Sequence, residues 1–152
     1  MENPYKPPDA HVADAAELAR VPRPPEVRRA IIAFWISWAL GLLTLIPGVR
    51  EGVWDNPELP AGVTLAITIV FGAFSAWMIV MVGRGHNWAR WVWVVFVALT
   101  YLLMAVDPTG WDKQGHLAFG VDVVTAVLEM YGSYLILTGP GAVWFAPAPQ
   151  RA

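Results

Sequence analysis

Four long apolar stretches dominate the pattern of hydrophobic and polar positions, and charged residues fall almost entirely between them. The stretches run over about 30–49, 62–82, 88–106 and 117–138. A helix rises about 1.5 Å per residue, so roughly 20 residues cross a hydrocarbon core of about 30 Å. Helix-stopping residues mark the ends. Pro47-Gly48 closes the first stretch and Gly139-Pro140-Gly141 the fourth, as expected where a left-handed cap and a missing amide donor end a helix. The connectors at 50–61, 83–87 and 107–116 are short, which forces successive helices to run antiparallel. The pattern predicts an all-α integral membrane protein, an up-down four-helix bundle over residues 30–138.

Composition sharpens this picture. Of the 152 residues, 57% are hydrophobic and 14% charged, against roughly 45–50% and about 25% in ordinary soluble domains. Residues 1–29 form a separate cytoplasmic tail, expected to be mostly disordered: Pro4, Pro7, Pro8, Pro22, Pro24 and Pro25 forbid one continuous helix. A short helix from Asp9 to Arg20 is the only element it offers. The first apolar stretch starts too late for a cleavable signal and is expected to act as an uncleaved anchor. Residues 139–152 form a short C-terminal tail. The chain has no cysteine, which excludes disulfides, thiolate ligands and a cysteine nucleophile. No basic stripe points to nucleic acid.

Charge asymmetry gives an orientation. Lys6, Arg20, Arg23, Arg28, Arg29, Arg84, Arg90 and Arg151 fall on one side of the predicted topology, and only Arg50 and Lys113 on the other. By the positive-inside rule both termini are cytoplasmic. Tryptophans follow the boundaries, with Trp54 and Trp111 in the outer loops, Trp77, Trp88, Trp91 and Trp144 near the inner surface, and Trp35 and Trp38 early in the first span. An indole is apolar with a single donor, which suits the headgroup region. Arg84 and Arg90, with Trp88, Trp91 and Trp144, are read as membrane anchors.

Small residues at intervals of four mark packing faces. Ala33, Ser37 and Gly41 line one face of the first span, and Thr64, Thr68, Gly72 and Ala76 one face of the second. Such stripes let backbones approach. The third span is bulkier and is expected to face lipid more. The fourth carries Asp122 and Glu129, seven residues apart and therefore nearly in register, with Thr125 between them and Ser133 beyond. A central intramembrane Asp costs about 2.5–3.5 kcal/mol on insertion scales, so such groups turn inward. Apart from Arg90, in the first turn of the third span, no Lys or Arg lies within a span to pair with them. Glu129, close to mid-membrane, is read as an interhelical staple hydrogen-bonding Thr, Ser or a carbonyl on a neighbour. The same stripe could instead serve as a proton or polar relay, or meet a partner subunit.

Catalytic signatures are absent: no nucleophile elbow, His-Glu-x-x-His pair, phosphate loop or dinucleotide fingerprint occurs. His116 and Asp112 would share a face if the fourth helix began early, and Glu51, Asp55, Glu58 and Asp107 add an acidic outer rim. Their spacing matches no established metal site, and no cofactor is expected.

Three segments carry a resemblance. Asn3-Pro4-Tyr5-Lys6-Pro7-Pro8 resembles an Asn-Pro-Tyr-x-Pro-Pro opening. Gly83-Arg84-Gly85-His86-Asn87-Trp88-Ala89-Arg90 is similar to a Gly-Arg-x-x-Asn-Trp-Ala-Arg inner hairpin, and Pro140 with Val143-Trp144-Phe145 looks like a terminal Pro followed by Trp-Phe at the membrane surface. Together they resemble a loosely defined group of small, uncharacterised bacterial inner-membrane proteins. The resemblance implies a bacterial inner (plasma) membrane and brings no activity, cofactor or catalytic residue.

The sequence therefore predicts a non-enzymatic scaffold or accessory protein whose partners are the lipid bilayer and either a second copy or another membrane protein. The alternatives are a small oligomeric proton-linked transporter using Glu129 and Asp122, or an immunity-type protein that binds a toxin in the membrane.

Overall fold

The computed structural model describes residues 22–46, 60–106 and 115–146. Among these residues every secondary-structure element is a helix: α1 (Pro25–Leu43), α2 (Ala61–Gly83), α3 (Asn87–Val106), α4 (His116–Leu137) and a short α5 (Gly139–Trp144). At 23, 20 and 22 residues, α2, α3 and α4 are long and apolar enough to cross a membrane. Their apolar side chains point in all directions, and Ile69, Val70, Val95, Leu102, Leu103, Leu117 and Val127 are all exposed. A helix that is hydrophobic all round needs an apolar medium, such as a bilayer provides. The body of α1 is similarly apolar, but Glu26, Arg28 and Arg29 occupy its first turns.

The limits of α2, α3 and α4 fall within one residue of those expected at 62–82, 88–106 and 117–138. α1 differs from the expected 30–49: it begins five residues earlier and ends six earlier. Pro25 stands at the first helical position, where its fixed φ fits the helix and its missing N–H is no loss. The extra turn buries Val27 completely. So the tail assigned to 1–29 gives up its last residues to the helix. At the far end the Thr44 hydroxyl donates to Gly41 O (2.7 Å). Leu45 and Ile46 then donate their amides three residues back, each at 3.1 Å, the tightened turn that commonly ends a helix. Residues 47–49, most of the loops at 50–61 and 107–116, the first 21 residues with the predicted short helix, and the last six residues lie outside the described residues.

The segment expected as a plain tail from 139 contains α5. Gly139 adopts φ +52°, a left-handed conformation that glycine enters without penalty, and Pro140 follows it in the first turn of α5. The turn is tight, because a Cβ on Gly141 would overlap Leu135 O. It brings Phe145 back into the protein with 3% of its surface exposed.

α1 packs most extensively on α4 and also touches α2 and α5, while α3 lies against α2 and α4. The dense core is not central. Val27, Ala30 and Phe34 of α1 meet Met78, Ile79 and Val82 of α2, Ala89, Trp93 and Val97 of α3, Ile136 of α4, and Phe145. These residues come from the start of α1, the end of α2, the start of α3 and the end of α4, so the packing is concentrated at one pole of the molecule.

Phe34 is the keystone of this pole. It is fully buried, its ring lies 5.0 Å from that of Trp93, and it presses on the α4 backbone at Gly132. A Cβ there would sit 2.5 Å from Phe34 Cε1. Gly132→Ala should therefore cost about 1–3 kcal/mol by overpacking, and Phe34→Leu should recover much of the loss. Gly41→Ala should not cost stability, because a Cβ at Gly41 meets nothing within 4 Å. Thermal unfolding of the purified variants in detergent reads both; equal Tm loss at both glycines would contradict this packing.

Candidate functional site: a carboxyl at the foot of an interhelical cleft

Above the packed pole the helices separate, and Glu129 sits at the junction. The Ser37 hydroxyl of α1 donates to Glu129 Oε1 (2.7 Å), and the Tyr101 hydroxyl of α3 donates to Oε2 (2.9 Å). One carboxyl group from α4 thus joins three helices through two hydroxyls. Ser37 is 2% exposed, so its hydroxyl has no aqueous alternative, and a buried hydroxyl left unpaired costs about 1–3 kcal/mol.

Glu129 also borders open space. A cavity of ≈ 420 Å³ lies between α1, α2 and the carboxyl, with Trp38, Gly41, Phe71, Gly72 and Trp93 in its walls. A second of similar volume, ≈ 420 Å³, runs away from the packed pole past Tyr101, Thr125 and Asp122. Both share Gly41, Thr44, Phe71, Phe96, Thr125 and Glu129, so they form one cleft with the carboxyl at its foot.

The other residues of the expected polar stripe behave differently from one another. Asp122 lines the outer part of the cleft. The Thr125 hydroxyl donates back to Asp122 O (2.8 Å), within its own helix. Ser133 lies beyond the cleft, 9% exposed, and its buried hydroxyl has no hydrogen-bond partner among the described residues. Asp122, Thr125 and Glu129 are therefore brought together around the cleft, whereas Ser133 lies in the packed pole.

The two small-residue stripes divide as well. Ala33 and Ser37 are buried, but Gly41 and Gly72 are not points of close backbone approach. A Cβ on either would meet nothing within 4 Å, and both lie in the cleft wall. Thr64, Thr68 and Ala76 are half-buried, and the Thr68 hydroxyl donates to Thr64 O (2.9 Å) in its own helix. Contact between α1 and α2 here runs through Trp38, whose indole N–H donates to Gly72 O (2.9 Å).

At the packed pole, Arg84, Trp88 and Trp91 are exposed. Arg90 is not at the surface where a headgroup anchor belongs. It is 9% exposed, and Nη1 donates to Ile136 O (3.4 Å) and Ala142 O (3.3 Å). Its guanidinium lies 5.1 Å from the centroids of Trp91 and of Phe145. The cause is the carbonyl-rich end of α4, whose last groups lack helical partners and draw a cation. Trp144 is likewise half-buried, packed over Gly85 and Phe145. Arg23 donates to Gly83 O, with its guanidinium 6.0 Å from the Trp144 ring. Two of the short motifs that carry the resemblance, the inner hairpin and the terminal Trp-Phe, therefore meet in space.

Tyr101, Trp93 and Gly132 were missed in the sequence. Tyr101 is the one tyrosine of a span that looked lipid-facing; a tyrosine among Val and Leu needs a partner for its hydroxyl, and a carboxyl without a cation needs donors. Gly132, three residues after Glu129, is a helix-interior glycine in an apolar span, itself a mark of close approach. The residues Glu51, Asp55, Glu58, Asp107 and Asp112 of the expected acidic rim lie outside the described residues, and His116 is exposed at the start of α4. Searched against protein-family models, curated proteins and solved structures, the chain matches none.

Arg90→Met removes the donor to both carbonyls while keeping an apolar stem. It should cost about 1–3 kcal/mol and raise amide exchange over 139–145 well above that of α2. Unchanged exchange in α5 would mean that Arg90 does not hold it.

Proposed function

We propose that this is a four-span protein of the bacterial inner membrane, an up-down four-helix bundle with both termini cytoplasmic, that acts without catalysis as a scaffold or accessory protein through its helices or its N-terminal tail. The observation that carries the scaffold reading is the bridging by the Glu129 carboxyl: each oxygen accepts a hydroxyl from a different helix. A group committed in this way is suited to holding helices together. In the membrane such bonds are worth about 0.6 kcal/mol on average and up to about 1.7.

The topology draws on charge. Every Lys or Arg among the described residues, namely Arg23, Arg28, Arg29, Arg84 and Arg90, belongs to the packed pole or to the adjoining start of α1. That is the distribution the positive-inside rule requires if this pole is cytoplasmic and α1 crosses as the fourth span. The resemblance to small bacterial inner-membrane proteins supports the compartment.

A second reading, proton-linked transport, is favoured by one feature: Glu129 and Asp122 both border the cleft. In that reading the carboxyl is a carrier and the hydroxyls position it.

Two measurements test these readings. Fusions after Asp55, His86, Asp112 and Ala152 should give active alkaline phosphatase at the first and third, and fluorescent GFP at the second and fourth. Active phosphatase at Ala152 would remove the four-span topology. In proteoliposomes holding a pH-sensitive dye, wild type and Glu129→Gln should pass protons equally slowly when a lipophilic amine gradient is imposed, while Glu129→Gln keeps the wild-type Tm within a few degrees. Amine-driven proton flux that vanishes in Glu129→Gln would replace the scaffold reading with the transport reading.

A further inference from the structure

The cleft carries a second property that a staple does not require. Its described lining contains two carboxyl groups, Glu129 and Asp122, and no Lys, Arg or His. Two hydroxyls occupy Glu129, but a carboxylate offers about four lone-pair sites, so it retains acceptor capacity. An intramembrane carboxylate is ordinarily paired, and beside Glu129 the described cleft lining offers hydroxyls but no cation.

The walls say what kind of cation fits. Trp38, Phe71, Trp93 and Phe96 surround the space beside Glu129, and aromatic faces attract organic cations, most strongly when water is excluded. A hard metal ion would require six or more oxygen ligands for calcium, or near-octahedral oxygen for magnesium. Among the described residues no group of three or more His, Cys, Asp or Glu could hold a metal. The volume of ≈ 420 Å³ lies within the roughly 300–1,000 Å³ of small-molecule sites.

A further observation points the same way. Gly41 and Gly72, where a Cβ would meet nothing within 4 Å, keep the space open although glycine costs an exposed helix interior about 1 kcal/mol relative to alanine.

We propose that this cleft is a binding site for a lipophilic organic monocation, a protonated or quaternary amine with an apolar body, its charge beside Glu129 and its body among the aromatic walls. This goes beyond the scaffold reading and does not depend on it, since binding stands whether or not the ligand is moved across the membrane.

The test uses the full chain in nanodiscs of phosphatidylcholine, with tritiated benzoylcholine as probe and its uncharged isostere 3,3-dimethylbutyl benzoate as control. Benzoylcholine should bind saturably at one site per chain, and the isostere at least ten-fold more weakly. Glu129→Gln should weaken benzoylcholine at least ten-fold. Gly41→Leu and Gly72→Leu, which leave Glu129 and its hydroxyl partners in place, should abolish saturable binding without lowering the Tm; they carry the test if Glu129→Gln does not fold. Equal binding of cation and isostere would mean that the cleft takes up any apolar molecule, a lipid chain included, and would overturn the proposal. So would benzoylcholine binding that survives Gly72→Leu. No saturable binding, together with a dimer that Gly72→Leu dissociates, would give the cleft to a second copy of the chain instead.

Discussion

A carboxyl group placed in a membrane helix without a cation must be satisfied by hydroxyls from elsewhere, and that constraint organises this protein. Glu129 cannot take its donors from α4 alone, because the backbone amides there are committed to the helix. It draws one from Ser37 and one from Tyr101. Those bonds set which faces of α1 and α3 turn toward α4. They also fix the height at which the three helices meet, which is where the packed pole gives way to the cleft.

The two halves of the molecule follow different packing rules. Toward the basic pole, side chains interlock: Phe34 fills the notch that Gly132 leaves, and Trp93 covers Phe34. Arg90 closes the end by donating to carbonyls of α4 and α5. Toward the other pole the small residues have the opposite effect. Gly41 and Gly72 leave room that nothing described fills, and Trp38 bridges α1 and α2 with a single hydrogen bond to Gly72 O. Glycine at Gly132 lets helices close, and glycine at Gly72 leaves a gap between them. What decides is the partner: a large aromatic faces the first, a cavity the second.

The helices were legible in the sequence because the bilayer imposes a length and a composition at once. α2, α3 and α4 are bounded by Gly, Pro and polar turns, and their limits could be read to within a residue. α1 was not, because the proline-rich approach looked like the end of order, whereas Pro25 suits a first helical position and Val27 rewards the extra turn. The stripe on α4 was visible from its register, since Asp122, Thr125 and Glu129 recur at helical spacing. Their partners were not visible, because periodicity within one helix does not say which residue of another helix faces it. Arg90 shows the same limit: its charge and position spoke for the headgroups, but its neighbours are helix-end carbonyls that only the turn at Gly139 brings near.

The most direct test of the Glu129 junction is a pair of double-mutant cycles for unfolding in bicelles, one combining Ser37→Ala with Glu129→Leu and the other Tyr101→Phe with Glu129→Leu. Coupling of about 0.5–1.7 kcal/mol in each cycle is the predicted result. Additivity within about 0.3 kcal/mol in both would mean that the carboxyl does not hold these helices together, and the account of the fold built on it would fail.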